Sequence, residues 1–158
     1  MSNLATQLIE KLSAKGWQIR AAESCTAGLI MAELTSISGA SAVVDRGFVT
    51  YSNEAKRDML GVQEETLKIY GAVSAETAFE MVKGCAAHSA TPSAALSVTG
   101  VAGPNGGTKD KPVGTVWIGT LVPHKDPLVK HYLFSGNRDD VRAQTVQAAL
   151  TQLIGLLD

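Results

Sequence analysis

Ser24, Cys25 and Thr26 stand together in WQIRAAESCTAGLIMAEL, residues 17 to 34, where an apolar, β-like run stops and a helical pattern begins. A hydroxyl or thiol at such a joint meets backbone N–H groups left unpaired by the helix start, and these stabilise an anion or a developing alkoxide. Ser24 is either a nucleophile or an N-cap serine beside a buried cysteine, since serine is among the preferred caps. A second reactive pair follows in TYSNEAK, where Tyr51 ends a strand and Lys56 falls in the first turn of the next helix. Serine with lysine is a hydrolytic pairing. Lysine acts as base only when neutral, and at its ordinary pKa of about 10.4 roughly one molecule in 2,500 is neutral at pH 7. Burial or a neighbouring cation must therefore depress it. The alternatives are a solvated helix lysine and a tyrosine that covers the end of the sheet.

Two further groups complete the candidates. TGVAGPNGG, residues 99 to 107, is neither a Walker A loop nor a well-spaced dinucleotide fingerprint, but its glycines permit close backbone approach to a ligand. The other reading is a surface loop with Lys109 and Lys111 in solvent. Arg138 and Arg142, one helical turn apart in GNRDDVR, either clamp a phosphate or pair with Asp139 and Asp140. His88, His124 and His131 are scattered without metal-ligand spacing, so no metal site is predicted. No histidine falls in the three strand-end loops to complete a Ser-His-Asp triad.

The elements that must position these residues alternate along the chain. Leu4, Leu8, Ile9 and Leu12 repeat at helical spacing before Gly16, WQIRAA reads as a strand, AGLIMAELTSI as a helix, and VVDRGFVTYS as a second strand. A short helix from Asn53 to Leu60, a helical piece EETLKIYG and a longer helix from Ala75 to Ser89 capped by Ser74 come next. AALSVTG is a buried strand, GTVWIGTLV and LVKHYLF form a hairpin about PHKDP, and Asn137 caps a last helix. Val146, Ala149, Leu150, Leu153, Ile154 and Leu157 give that helix one apolar face. This order predicts an α/β fold, a three-layer α/β/α sandwich with a mixed central sheet, whose ligands sit beyond the carboxyl ends of the strands.

Composition bounds the rest. The 158 residues, 45% apolar and 18% charged, suit one domain spanning residues 1–158, with no repeat or linker. A net charge of -1 offers no phosphate-backbone footprint and no match to an anionic membrane, so direct nucleic-acid binding is not expected. Cys25 and Cys85 lie sixty residues apart and read as reduced thiols, and the N-terminus lacks an export signal; both point to the cytoplasm.

Taken together, AESCTAGL, RGFVTYSNEAKRDMLGV, GAVSAE, SVTGVAGPNGGTKDKPVGTVWIG and FSGNRDDVR resemble the CinA C-terminal domain family, the nicotinamide-nucleotide amidohydrolases, over nearly the whole chain. The chain is similar to the stand-alone members, which lack the N-terminal molybdopterin-binding-like domain. One departure is Ala27, where many members carry a second glycine. The resemblance implies hydrolysis of the carboxamide of nicotinamide mononucleotide to nicotinic acid mononucleotide and ammonia, without a cofactor. It assigns Ser24 as nucleophile and Lys56 and Tyr51 as its assistants. On that basis the N–H groups near Cys25 and Thr26 would hold the oxyanion. The substrate-binding candidates are Cys25, Thr26, Thr99, Gly100, Gly103, Gly106, Arg138 and Arg142, with Arg142 first for the 5'-phosphate. A homo-oligomer, a dimer in the family's manner, is the expected assembly. The rival reading is a non-catalytic nucleotide- or protein-binding module linked to competence or the DNA damage response; a third is an amidohydrolase of another amide.

Overall fold

In the computed structural model, which describes residues 3–158, five strands form one sheet in the order β2-β1-β3-β4-β5. The chain runs α1 (Asn3–Lys15), β1 (Gln18–Glu23), α2 (Leu29–Thr35), β2 (Val44–Val49), α3 (Asn53–Leu60), α4 (Glu64–Tyr70) and α5 (Ala75–Ala86). It continues through β3 (Ser93–Gly100), β4 (Thr115–Leu121), β5 (Leu128–Leu133) and α6 (Arg138–Gly155). β1 pairs in parallel with β2 and β3, whereas β4 pairs antiparallel with β3 and β5 with β4. The parallel strands are joined by helical crossovers and the last pair by a short turn, as the alternation requires. Among the described residues no helix is long and apolar enough to cross a membrane.

Each face of the sheet has its own core. Leu8 and Leu12 of α1, Ile30 and Leu34 of α2, and Leu150 and Leu153 of α6 pack against Ile19, Leu96 and Ile118. On the other face Leu60 of α3 and Met81, Val82 and Cys85 of α5 pack against Ala22, Phe48 and Ala95. The alternation of side chains along β1 and β3 sends neighbouring residues into opposite cores, which is why both strands are buried almost throughout. The apolar face expected for the last helix is the one that is buried, and Asn137 caps it through a reciprocal pair of bonds with Asp140.

Of the boundaries that differ from the sequence reading, two have an identifiable cause. The longest of the middle helices ends at Ala86 rather than Ser89, because the buried Arg20 guanidinium draws the carbonyls of Ala86 and Thr91 to itself while its Nε donates to Asp45. The second helix begins at Leu29, not at Ala27: Ala27 and Gly28 both hold positive φ, 46° and 101°, so the chain makes a separate turn before the helix starts. That delay reshapes the site.

Candidate active site

The carboxyl ends of β2, β1 and β3 lie side by side and deliver the Ser24, Thr50–Tyr51 and Thr99–Gly100 loops to one place. Antiparallel β4 and β5 return the chain to the same end, so α6 also begins there and brings Arg138. Ser24, Tyr51, Asn53, Lys56, Val73, Thr99 and Arg138 line a cleft of about 170 Å³ at this point. A larger hollow of about 650 Å³ adjoins it, sharing Ala102 and Arg138 and adding Pro104, Val113 and Asn137. Another hollow of about 430 Å³, around Lys83 and His124, lies at the opposite end of the strands and shares none of these residues.

At the centre of the cleft Lys56 Nζ donates to Ser24 Oγ at 3.1 Å. It also donates to the carbonyls of Thr50 at 2.9 Å and Tyr51 at 3.4 Å. Lys56 is 1% exposed and is therefore no solvated helix lysine. Ser52 caps α3 through Ala55 N–H, and this fixes the first turn from which Lys56 reaches inward. Burial pushes the Lys56 amine below the ordinary lysine range, against a smaller opposing pull from the Cys25 sulfur. Among the described residues no carboxylate lines the cleft to restore the charge. The arrangement thus meets both conditions for a serine activated by an amine, contact and a depressed pKa.

Ser24 is not a helix cap. Its own N–H donates to Val98 O across the sheet, and its carbonyl accepts from Ala27 N–H, closing a tight turn. The N-terminus of α2 is instead filled by Glu23, whose carboxylate accepts from the N–H groups of Gly28, Ile30 and Met31 and from the Thr26 hydroxyl. The helix start that the sequence offers to an anion at Ser24 is already occupied by this side chain. What the turn leaves are the N–H groups of Cys25 and Thr26, which donate to no oxygen among the described residues. Thr50, whose carbonyl accepts from Lys56, has a buried Oγ1 with no hydrogen-bond partner among the described residues.

The remaining candidates divide. Cys25 lines the cleft, but burial raises its thiol to about 11, so it is a neutral thiol at physiological pH. Tyr51 is 60% exposed and does not cover the sheet end; its hydroxyl accepts from Arg138 Nη2 at 3.2 Å, while Arg138 Nη1 donates to Gly103 O at 2.8 Å. Thr99 and Gly100 line the cleft, with the Thr99 hydroxyl donating to Ala72 O. Thr26, Gly103, Gly106 and Arg142 do not line it. Arg142 lies behind the serine turn, with Nε donating to Cys25 O at 3.0 Å and Nη2 to Thr26 O at 3.3 Å. Neither arginine forms an ion pair with Asp139 or Asp140, because backbone carbonyls at this end of the sheet engage both guanidinium groups. Lys111 is not free in solvent either, since its ammonium donates to Tyr70 O.

Sequence reasoning missed Glu23, Asn53 and Val73. Glu23 carried a signal: a carboxylate ending a strand otherwise apolar enough to be core must find several donors, and a following turn is the nearest source. Asn53 and Val73 reach the cleft only through the packing of α3 and of the segment before α5, and no spacing in the sequence announces that.

Comparison with known proteins bears on the family and the fold. The CinA C-terminal domain model matches residues 1–157. The nicotinamide-nucleotide amidohydrolase PncC of Enterobacter agglomerans is 48% identical over 158 residues, covering 98% of this chain and 96% of that protein. The protein of the same name in Escherichia coli K12 is 45% identical, covering 97% and 92%. A CinA-like protein of Syntrophobacter fumaroxidans is 49% identical over 91% of this chain, but that stretch is 34% of its own length. The crystal structure of the competence/damage inducible protein CihA from Agrobacterium tumefaciens superposes with a TM-score of 0.94 at 47% identity, covering 98% of this chain and 94% of that one. By sequence and by fold, the chain belongs to the CinA C-terminal domain family.

Proposed function

We propose that this protein hydrolyses the carboxamide of nicotinamide mononucleotide, releasing ammonia and nicotinic acid mononucleotide, with Ser24 as nucleophile. The observation that carries the reading is the buried Lys56 Nζ to Ser24 Oγ contact at 3.1 Å, in a cleft without carboxylates. The relatives named nicotinamide-nucleotide amidohydrolase, similar over almost their whole length, support the choice of substrate.

In the first step neutral Lys56 takes the Ser24 proton as Oγ bonds to the amide carbon, and the carbonyl oxygen becomes an oxyanion facing the N–H groups of Cys25 and Thr26. The Lys56 ammonium then returns its proton to the amide nitrogen, the C–N bond breaks and ammonia leaves. Water, losing a proton to Lys56, attacks the acyl-serine carbon, and the Ser24 oxygen leaves with that proton. A pyridinium ring helps twice, because its charge makes the carboxamide more electrophilic and disfavours the ammonium form of a nearby lysine. The small cleft suits the nicotinamide end, and the adjoining hollow past Arg138 suits the ribose and phosphate. Arg138, not Arg142, is the cation that lines both spaces, so it takes the 5'-phosphate; Tyr51, its partner, positions it and borders the ring. The same reading makes the protein a cytoplasmic, homo-oligomeric enzyme of pyridine-nucleotide salvage.

The test is ammonia release from nicotinamide mononucleotide by the purified protein, beside its Ser24→Ala variant and with free nicotinamide as comparison substrate. Release that needs both Ser24 and the nucleotide is the expected result. Full activity in Ser24→Ala would sink the mechanism, and nucleotide binding without turnover in the unaltered protein would favour a binding module.

A further inference from the structure

We infer that Arg142 is a positioning residue for the oxyanion donors of the Ser24 turn, acting from behind the site rather than on the substrate. The inference rests on the amidase reading above. Its basis is the pair of bonds from one guanidinium to two successive carbonyls, Cys25 O at 3.0 Å and Thr26 O at 3.3 Å.

A trans peptide unit is planar, with its C=O and N–H pointing in opposite directions. Drawing the Cys25 carbonyl toward Arg142 therefore points the Thr26 N–H away from Arg142, and drawing the Thr26 carbonyl does the same to the Ala27 N–H. The second consequence can be checked directly, because Ala27 N–H donates to Ser24 O on the inner side of the turn. The Thr26 N–H, held in the same sense one residue earlier, has no oxygen partner among the described residues. A charged donor on a carbonyl also polarises the peptide, so the N–H at its far end becomes a better donor.

The neighbouring contacts show the turn held from two sides. Ala27 sits at φ 46°, a left-handed conformation that a residue with a Cβ adopts only when its surroundings hold it there. Glu23 fixes the far side of the same turn through Thr26 Oγ1 and Gly28 N–H, so the turn is gripped at its amides by a carboxylate and at its carbonyls by a guanidinium. Arg142 reaches its place from α6, which runs under the sheet and is anchored by Val141 and Thr145 in the core. Its outer side borders a hollow of about 390 Å³ with Leu29, Glu33 and Asp139, separate from the cleft that holds Ser24.

A group that orients an oxyanion donor acts on turnover, whereas a group that binds phosphate acts chiefly on KM. The experiment is steady-state kinetics of Arg142→Ala and Arg142→Lys with nicotinamide mononucleotide and with its phosphate-free riboside, with and without millimolar guanidinium. Removing an oxyanion donor outright costs about 10²–10³ in kcat, and misorienting one is expected to cost about 10- to 100-fold, equally for both substrates and with KM unchanged. Guanidinium, entering from the outer hollow, should restore part of kcat in Arg142→Ala without moving its thermal midpoint, an effect that simple loss of stability would not show. A rise in KM confined to the phosphate-bearing substrate would overturn the inference and return Arg142 to phosphate binding. If the alanine variant does not fold, Arg142→Lys decides: its kcat should fall with KM unchanged, and full activity in it overturns the inference. The unaltered protein, assayed alongside, separates the two failures: if the amidase reading is wrong, no sample turns over, the unaltered protein included.

Discussion

The sharpest prediction concerns the protonation of Lys56. The residue is 1% exposed, and its amine faces two carbonyls and the Ser24 hydroxyl and is held below the ordinary lysine range by burial. If neutral Lys56 is the base, log kcat/KM rises with unit slope as pH increases and then levels at the amine's pKa in the free enzyme. An unshifted lysine would level only near 10.4, with roughly one molecule in 2,500 active at pH 7; the plateau is expected to begin below that. Lys56→Met keeps the apolar stem but removes the base, and should lower kcat by about 10²–10⁴ and abolish the rising limb. Lys56→Arg keeps a cation that cannot lose its proton, and should be as inactive as the methionine variant. Stability supplies an independent check. Because the folded pKa lies below the unfolded one, the unfolded chain binds the extra proton between the two values, so stability gains with pH across that window and the gain is complete above about 10.4. Urea unfolding across pH 7 to 10.5 should show this slope in the native protein and not in Lys56→Met. An activity plateau at or above 10.4, or an active Lys56→Arg, would refute the proposal of a depressed lysine base.

Three further outcomes test the surroundings. Cys25 is a thiol raised to about 11 and nearly buried, so iodoacetamide at pH 8 should modify it slowly and Cys25→Ala should keep most activity; rapid inactivation by alkylation would point to a thiol nucleophile instead. Thr50→Val removes a buried hydroxyl without a partner among the described residues, and should leave stability unchanged or raise it by about 1 kcal/mol in urea unfolding; a loss of that size would mean the hydroxyl is hydrogen-bonded in solution. Gly84 faces the backbone of Leu60 so closely that an added Cβ would lie 1.8 Å from its carbonyl oxygen. Gly84→Ala must push α5 from α3 and should cost about 1–3 kcal/mol, read as a lowered thermal midpoint, with the end of the helix carrying Lys56 displaced.

The sequence by itself determined the α/β alternation, the glycine, Ser74 and Asn137 signals at helix ends, and the three loops that meet at the strand ends. These are local matters: a period of apolar residues and a cap side chain act within a few residues of themselves, and the rule that ligands gather beyond strand carboxyl ends then selects Ser24, Tyr51, Lys56 and Thr99. Family resemblance supplied a preference among the roles that the residue pattern left open for Ser24 and Lys56, and that preference is part of the proposal. The tertiary structure decided what depends on partners distant in the chain. Lys56 changes from a surface lysine to a buried amine only because β1 places Ser24 over it, and burial has no signature in the lysine's own sequence neighbourhood. Arg138 and Arg142 are one turn apart on the same helix, yet one enters the cleft and the other grips the back of the serine turn. Helical spacing places two side chains on one face; only the packing of α6 against the sheet fixes what each of them meets.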